Sequence, residues 1–265
     1  MQNSLIGFDN KPITINRKGR LTPVDAELIS ADEGHELHIS TNLCIFDEGI
    51  NDQELFKKAV MDGVKEWDGE YKVFKDQKIK VITDITVNER IFDSVKVFAL
   101  SDDMLKWMTF AGRLIPLKKG KDRLENFIRN RRSFAVPGMK KWSVHSKKII
   151  YILDSDGTFS DYDEIKKLTK HEFGHVLGLG DLYRSLPDGL MGVKHGKYKD
   201  LDKYRRDIFK NYHQYDIVMC DNGRVTDNDI EMVILAFRDN EMQHYQENYS
   251  NRKKEKISDA LGRGN

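Results

Sequence analysis

Apolar residues recur at every second position between residues 36 and 46, where Leu37, Ile39, Leu43 and Ile45 share a register with Thr41. A period of two places all five on one face of a β-strand. The same pattern returns near 78–87, with Ile79, Val81, Thr83, Ile85 and Val87, and a third strand is predicted near 95–100. Between the first two strands the period lengthens: Leu55, Phe56, Ala59, Val60, Val64 and Trp67 fall on one side of a helix. Asn51, with Glu54 three residues later, predicts a capping box at its start. The unbroken apolar run from Ile149 to Leu153 predicts a well-buried strand. Ser160 and Asp163 predict a second capping box, opening a helix over about 161–177 that buries Ile165, Leu168 and Val176. A last helix is expected from Thr226–Asp229 onward, because Ile230, Val233, Ile234 and Phe237 stand at i, i+3, i+4 and i+7.

The stretches between these elements carry weaker signals. Residues 1–34 are polar with short apolar alternations at Ile13 and Ile15, and 17–20 reads as a turn. Residues 101–147 are interrupted by Gly112, Pro116, Gly120, Pro137 and Gly138, with some helix expected around 124–128. Residues 182–215 are polar and aromatic, and beyond Asn240 the chain is polar to its end, with 249–265 expected to fray. This divides the chain into an N-terminal extension (1–34), one domain (35–240) and a C-terminal tail (241–265).

Composition narrows the function classes. With 44 Lys and Arg against 43 Asp and Glu, no global field draws in nucleic acid or an acidic membrane. The basic run from 118 to 132 lacks interleaved aromatics for stacking on bases and reads as a solvated face. The N-terminus lacks the basic start and apolar core of a secretory signal, and no segment has the apolar length of a membrane span. The expectation is a cytoplasmic protein or one exported by a leaderless route. Two cysteines do not make a disulfide framework, and Cys44, within an apolar strand pattern, reads as a buried thiol.

The chemistry is concentrated in residues 171–181, which read His171-Glu172-x-x-His175-x-x-Gly178-x-x-Asp181. Two histidines four apart on a helix point the same way, so one zinc ion can take both imidazoles. Glu172 is rotated off that line, which suits it to address a zinc-activated water as a general base. Three protein ligands leave a catalytic zinc one open position. Asp181 is the candidate third ligand, with His195 and His213 as alternatives. Gly178 supplies the turn that brings the chain back, since glycine adopts the left-handed backbone that ends a helix without steric cost. A carboxylate ligand leaves the metal a weaker Lewis acid than a third imidazole would. The segment Asp154-Ser155-Asp156-Gly157 hints at calcium but lacks the ligand series of a calcium loop, so a plain turn is the favoured reading.

These residues resemble the motif of the metzincin clan of zinc endopeptidases, especially its matrixin-like branch, in a bacterial form with aspartate as third ligand. The resemblance is specific over 171–181 and suggestive over 216–237. It implies an α+β fold: a twisted mixed sheet, an active-site helix, and a smaller lower subdomain ending in a C-terminal helix. It also implies a methionine turn beneath the metal. Met219 is the candidate because the last helix follows it directly, and Met191 is its rival. A protein or peptide substrate is expected as an extended strand along the lower edge of the sheet, which the strand 149–153 would form. Tyr183 and Tyr215 are candidate substrate or oxyanion contacts. A zinc amidase acting on a non-protein amide, and a zinc-containing binding module without turnover, are the competing functions. The sequence carries no signal for oligomeric state.

Overall fold

The computed structural model describes residues 4–7, 10–15, 23–32, 34–88, 93–101, 134–136, 148–154, 157–180, 218–221 and 223–243. In chain order the strands are β1 (Val24–Ala31), β2 (Gly34–Phe46), β3 (Gly69–Val73), β4 (Gln77–Val87), β5 (Val95–Leu100), β6 (Phe134–Val136) and β7 (Ile149–Leu153). The helices are α1 (Gln53–Lys65), α2 (Tyr162–Val176), the single turn α3 (Val218–Asp221) and α4 (Asp227–Asp239).

Among the described residues the seven strands form one mixed sheet in the order β3-β4-β2-β5-β7-β6, with β1 on β2. β2, β4, β5 and β7 run parallel, while β1, β3 and β6 are antiparallel to their neighbours. The fold is therefore mixed α and β. β2 is long enough to share one edge: β1 pairs with residues 34–41, and β5 takes over from Leu43 to Phe46. β1 arises within the N-terminal 34 residues, which also bury Leu5, Ile13 and Ile15 in the core. Gly34 turns this hairpin at φ 142°, and a Cβ there would stand 2.9 Å from the Lys78 carbonyl oxygen.

The predicted alternation in β2 and β4 is realised. Leu37, Ile39, Leu43, Ile79 and Val81 join Phe56, Val60 and Val64 of α1 in one buried cluster. Val87, placed on the same face by the pattern, is 46% exposed because it ends the strand. Two predicted caps are one residue out of place. Asp52, not Asn51, caps α1 by accepting from the Leu55 amide at 2.9 Å. Asp161, not Ser160, caps α2 by accepting from the Glu164 amide at 3.0 Å. Ser160 instead donates to the Gly157 carbonyl, closing the short 3-10 turn that precedes α2. The last helix starts where the pattern put it, and a capping box forms there: Asp229 Oδ2 accepts from the Thr226 amide and hydroxyl, both at 2.7 Å.

Strand 149–153 is not the edge of the sheet. Its Ile149, Ile150 and Tyr151 pair with Val136, Ala135 and Phe134 of β6, which is the terminal strand. Three residues beside Pro137 and Gly138 are too few to establish a period, so β6 left no pattern to read. At the opposite edge, α4 closes off β3. The Lys72 amide donates to Asp227 Oδ1 at 3.0 Å and the Phe74 amide to Glu231 Oε1 at 2.8 Å.

His171 and His175 of the motif lie on α2, and α1 supports that helix from behind. Gly63 lets the helices touch: a Cβ there would be 2.6 Å from the Lys166 carbonyl oxygen. The Trp67 indole N–H donates to the Lys170 carbonyl at 3.1 Å, and Glu66 pairs with Lys166 and Lys170. Lys148, at the foot of β7, is 2% exposed, and burial pushes its ammonium down to about 7. Among the described residues no helix is long and apolar enough to cross a membrane.

Candidate metal centre

α2 is built to end at the motif. Asp163 and Glu164 occupy its first turn, where their negative charge matches the positive end of the helix dipole, and His175 lies in its last turn. His171 and His175 stand one turn apart, with ring centroids 5.1 Å from each other and planes at 86°. Both rings are half-buried.

The decisive detail lies on the far side of each ring. His171 Nδ1 is 2.7 Å from the Val218 carbonyl oxygen, and His175 Nδ1 is 2.8 Å from the Leu179 carbonyl oxygen. A carbonyl only accepts, so each Nδ1 carries the hydrogen in the neutral ring. Each Nε2 then presents its lone pair, which is the tautomer a metal requires. Main-chain oxygens thus prepare both side chains as ligands, and the pair fits zinc.

Glu172 follows His171 and is 4% exposed. Phe173 turns into the core and meets Trp67 edge-on, with centroids 6.5 Å apart. Gly174 occupies the helix interior, where glycine costs roughly 1 kcal/mol relative to alanine. Its role is close approach: a Cβ there would collide with Met219 Sδ and stand 3.1 Å from Trp67 Cζ2. Met219 is fully buried against the motif helix, and its neighbour Val218 supplies the carbonyl that orients His171.

Gly178 ends the helix at φ 98°. The Leu179 amide bonds back to the Gly174 carbonyl at 3.0 Å, and the Gly178 amide to the His175 carbonyl at 3.1 Å. These two bonds make the Schellman arrangement, with Gly178 at its left-handed position. The reversal aims the Leu179 carbonyl at His175 Nδ1. The chain then runs through Gly180 to Asp181.

Asp181, Tyr183, Met191, His195, His213 and Tyr215 lie outside the described residues, as do Ser155 and Asp156 of the calcium-like segment. Asp154, from that segment, accepts from the Phe159 amide at 3.2 Å, and Gly157 has a φ of 87°, as a turn requires. Among the described residues no group of three potential metal-ligating side chains forms, so the third ligand rests on the sequence motif.

No known protein family, curated protein or solved structure matches this chain.

The geometry of the site therefore carries the functional reading. Part of that geometry was invisible in the sequence. The Val218 and Leu179 carbonyls are main-chain groups, and any residue type could supply them. Gly174 was the one readable signal, since a glycine inside a helix marks a position where something comes close.

Proposed function

We propose that this chain is a zinc-dependent endopeptidase of the metzincin type. The observation that carries the reading is the shared commitment of His171 and His175: both give their Nδ1 hydrogen to a main-chain oxygen, leaving two Nε2 atoms on one helix face. The order of elements supports it in outline: strand, helix, strands, motif helix, a buried methionine on a turn, last helix. The resemblance implies that same order.

His171 Nε2 and His175 Nε2 would hold the zinc, with Asp181 as the third ligand. Zinc supplies Lewis acidity when bound, acidifying a water and stabilising negative charge on the scissile carbonyl oxygen. Glu172 acts as the base. Its carboxylate accepts a proton from the attacking water and delivers it to the leaving amine nitrogen. Burial of Glu172 keeps that carboxylate out of bulk solvent. The substrate is a peptide in extended form, joined by main-chain hydrogen bonds to the side of β6 away from β7. β6 suits this better than β3, where the amides of Lys72 and of Phe74 just past the strand already bond to α4.

The test is zinc content together with cleavage of a peptide library, for the wild type and Glu172→Gln. The expected outcome is one zinc per chain in both proteins and cleavage by the wild type that falls about 10²–10⁴-fold in the variant. Zinc uptake without cleavage of any peptide would favour an amidase or a binding module. A chain that takes up no zinc would end the reading.

A further inference from the structure

Residues 241–243, just past α4, return to the metal centre. α4 is capped by Asn240, which adopts φ 58° and ψ 40°. Asparagine tolerates this left-handed conformation, and it reverses the chain as glycine does elsewhere. The Asn240 and Glu241 amides both bond to the Ala236 carbonyl, so the reversal is fixed. Met242 then packs against the core and Gln243 is 8% exposed. Gln243 pairs with Leu179 as an isolated parallel bridge. Its amide donates to the Gly178 carbonyl at 2.8 Å, and its carbonyl accepts from the Gly180 amide at 2.9 Å.

The position of this bridge matters more than its size. Its two bonds bracket Leu179, one on the residue before and one on the residue after. Leu179 is the residue whose carbonyl orients His175, and Gly180 is the last residue before Asp181 in the sequence. Gly178 and Gly180 are the two most conformationally permissive residues of the segment. Without an outside anchor, a stretch with glycine on both sides of Leu179 would not hold its carbonyl in one direction.

We infer that residues 241–243 form a positioning strap for the metal centre, with the Gln243 main chain holding the 178–180 turn so that the Leu179 carbonyl keeps His175 in its ligating direction. The inference rests on the zinc reading above. Gln243 is a positioning residue that acts through Leu179 and its two neighbours. Its side chain is not the active part: its amide nitrogen donates to the Glu241 carbonyl at 3.3 Å, within the strap.

Gln243→Pro deletes the amide that donates to Gly178, whereas Gln243→Ala keeps both main-chain bonds. Zinc affinity is measured in the full chain by competition with a chelator, and the visible spectrum is recorded after cobalt substitution. Gln243→Pro is expected to bind zinc about 10–100-fold more weakly, as loss of outer support for a ligand does, and to change the cobalt spectrum. Gln243→Ala is expected to match the wild type in both. Equal affinity and an unchanged spectrum in Gln243→Pro would overturn the strap, as would an equal loss in Gln243→Ala. If the proline variant does not fold, amide exchange in the wild type decides. Coupling is reciprocal, so zinc must slow exchange at Gly180 and Gln243. Exchange there that ignores zinc overturns the inference. A wild type that binds no zinc overturns the zinc reading itself and is distinguished from all of these.

Discussion

At Gly178 one backbone angle joins fold and chemistry. Its φ of 98° is closed to side chains except at a cost, and the reversal it makes brings the Leu179 carbonyl back over His175. Gly178→Ala should therefore act twice. It should lower the stability of the zinc-free protein by about 1–2 kcal/mol, the usual cost of a left-handed L-residue. It should also weaken zinc binding, because the carbonyl that orients His175 is displaced. Gly178→Asn, which tolerates the conformation better, should recover part of both. Urea denaturation of the apo-proteins and zinc isotherms check this, and an alanine variant as stable and as tight as the wild type would refute it. The need for a turn here was legible in the sequence, since a third ligand at Asp181 requires the chain to turn back and Gly178 can adopt the left-handed backbone that does so. That the same turn would also fix the tautomer of His175 was not legible. A carbonyl has no letter of its own.

The element that the motif depends on is the pair α1 and α2. Gly63 places the Lys166 carbonyl 2.6 Å from where a Cβ would be, and that neighbour is backbone, which cannot swing aside. Gly63→Ala should force the helices apart and cost about 1–3 kcal/mol, as overpacking does. The urea midpoint should fall with its slope unchanged. A midpoint equal to the wild type's would show that the two helices are not packed this closely. The long amphipathic elements were readable because their periods run for several repeats: β2, β4, α1 and α4 all appear where their patterns put them. The short and polar ones were not. β3 reads Gly-Glu-Tyr-Lys-Val and buries only Val73 fully, so nothing in its composition separates it from a loop. β1 was submerged in a polar N-terminal stretch, and β6 has three residues. The missed strands are held by their neighbours' hydrogen bonds, which a single-chain pattern does not record. The cap errors at Asn51 and Ser160 have a simpler cause. Each stands beside an aspartate equally able to cap, and only the fold decides between adjacent candidates.

Across the whole molecule, the centre gathers parts of the chain that are far apart in sequence. α2 carries His171 and His175, the turn at Val218 and Met219 lies against them, and Gln243 holds the far side. A ligand that binds only where such parts are assembled stabilises their assembly by mass action. Removing zinc with a chelator should therefore lower the melting temperature of the entire chain. At free zinc a thousandfold above its Kd the stabilisation is about 4.1 kcal/mol, which for a chain of this size corresponds to roughly 8–16 °C. Calorimetry of the zinc-loaded and chelator-treated protein measures it. Calcium added to the stripped protein should not restore the loss, because Asp154 is engaged with the Phe159 amide as part of a turn. Identical melting with and without zinc would mean that the two histidines do not hold a metal in the folded chain. Recovery by calcium would move the metal to the 154–157 segment. A zinc-dependent shift that survives Glu172→Gln would separate the two roles within the motif: the histidines bind, and the glutamate acts only on what is bound.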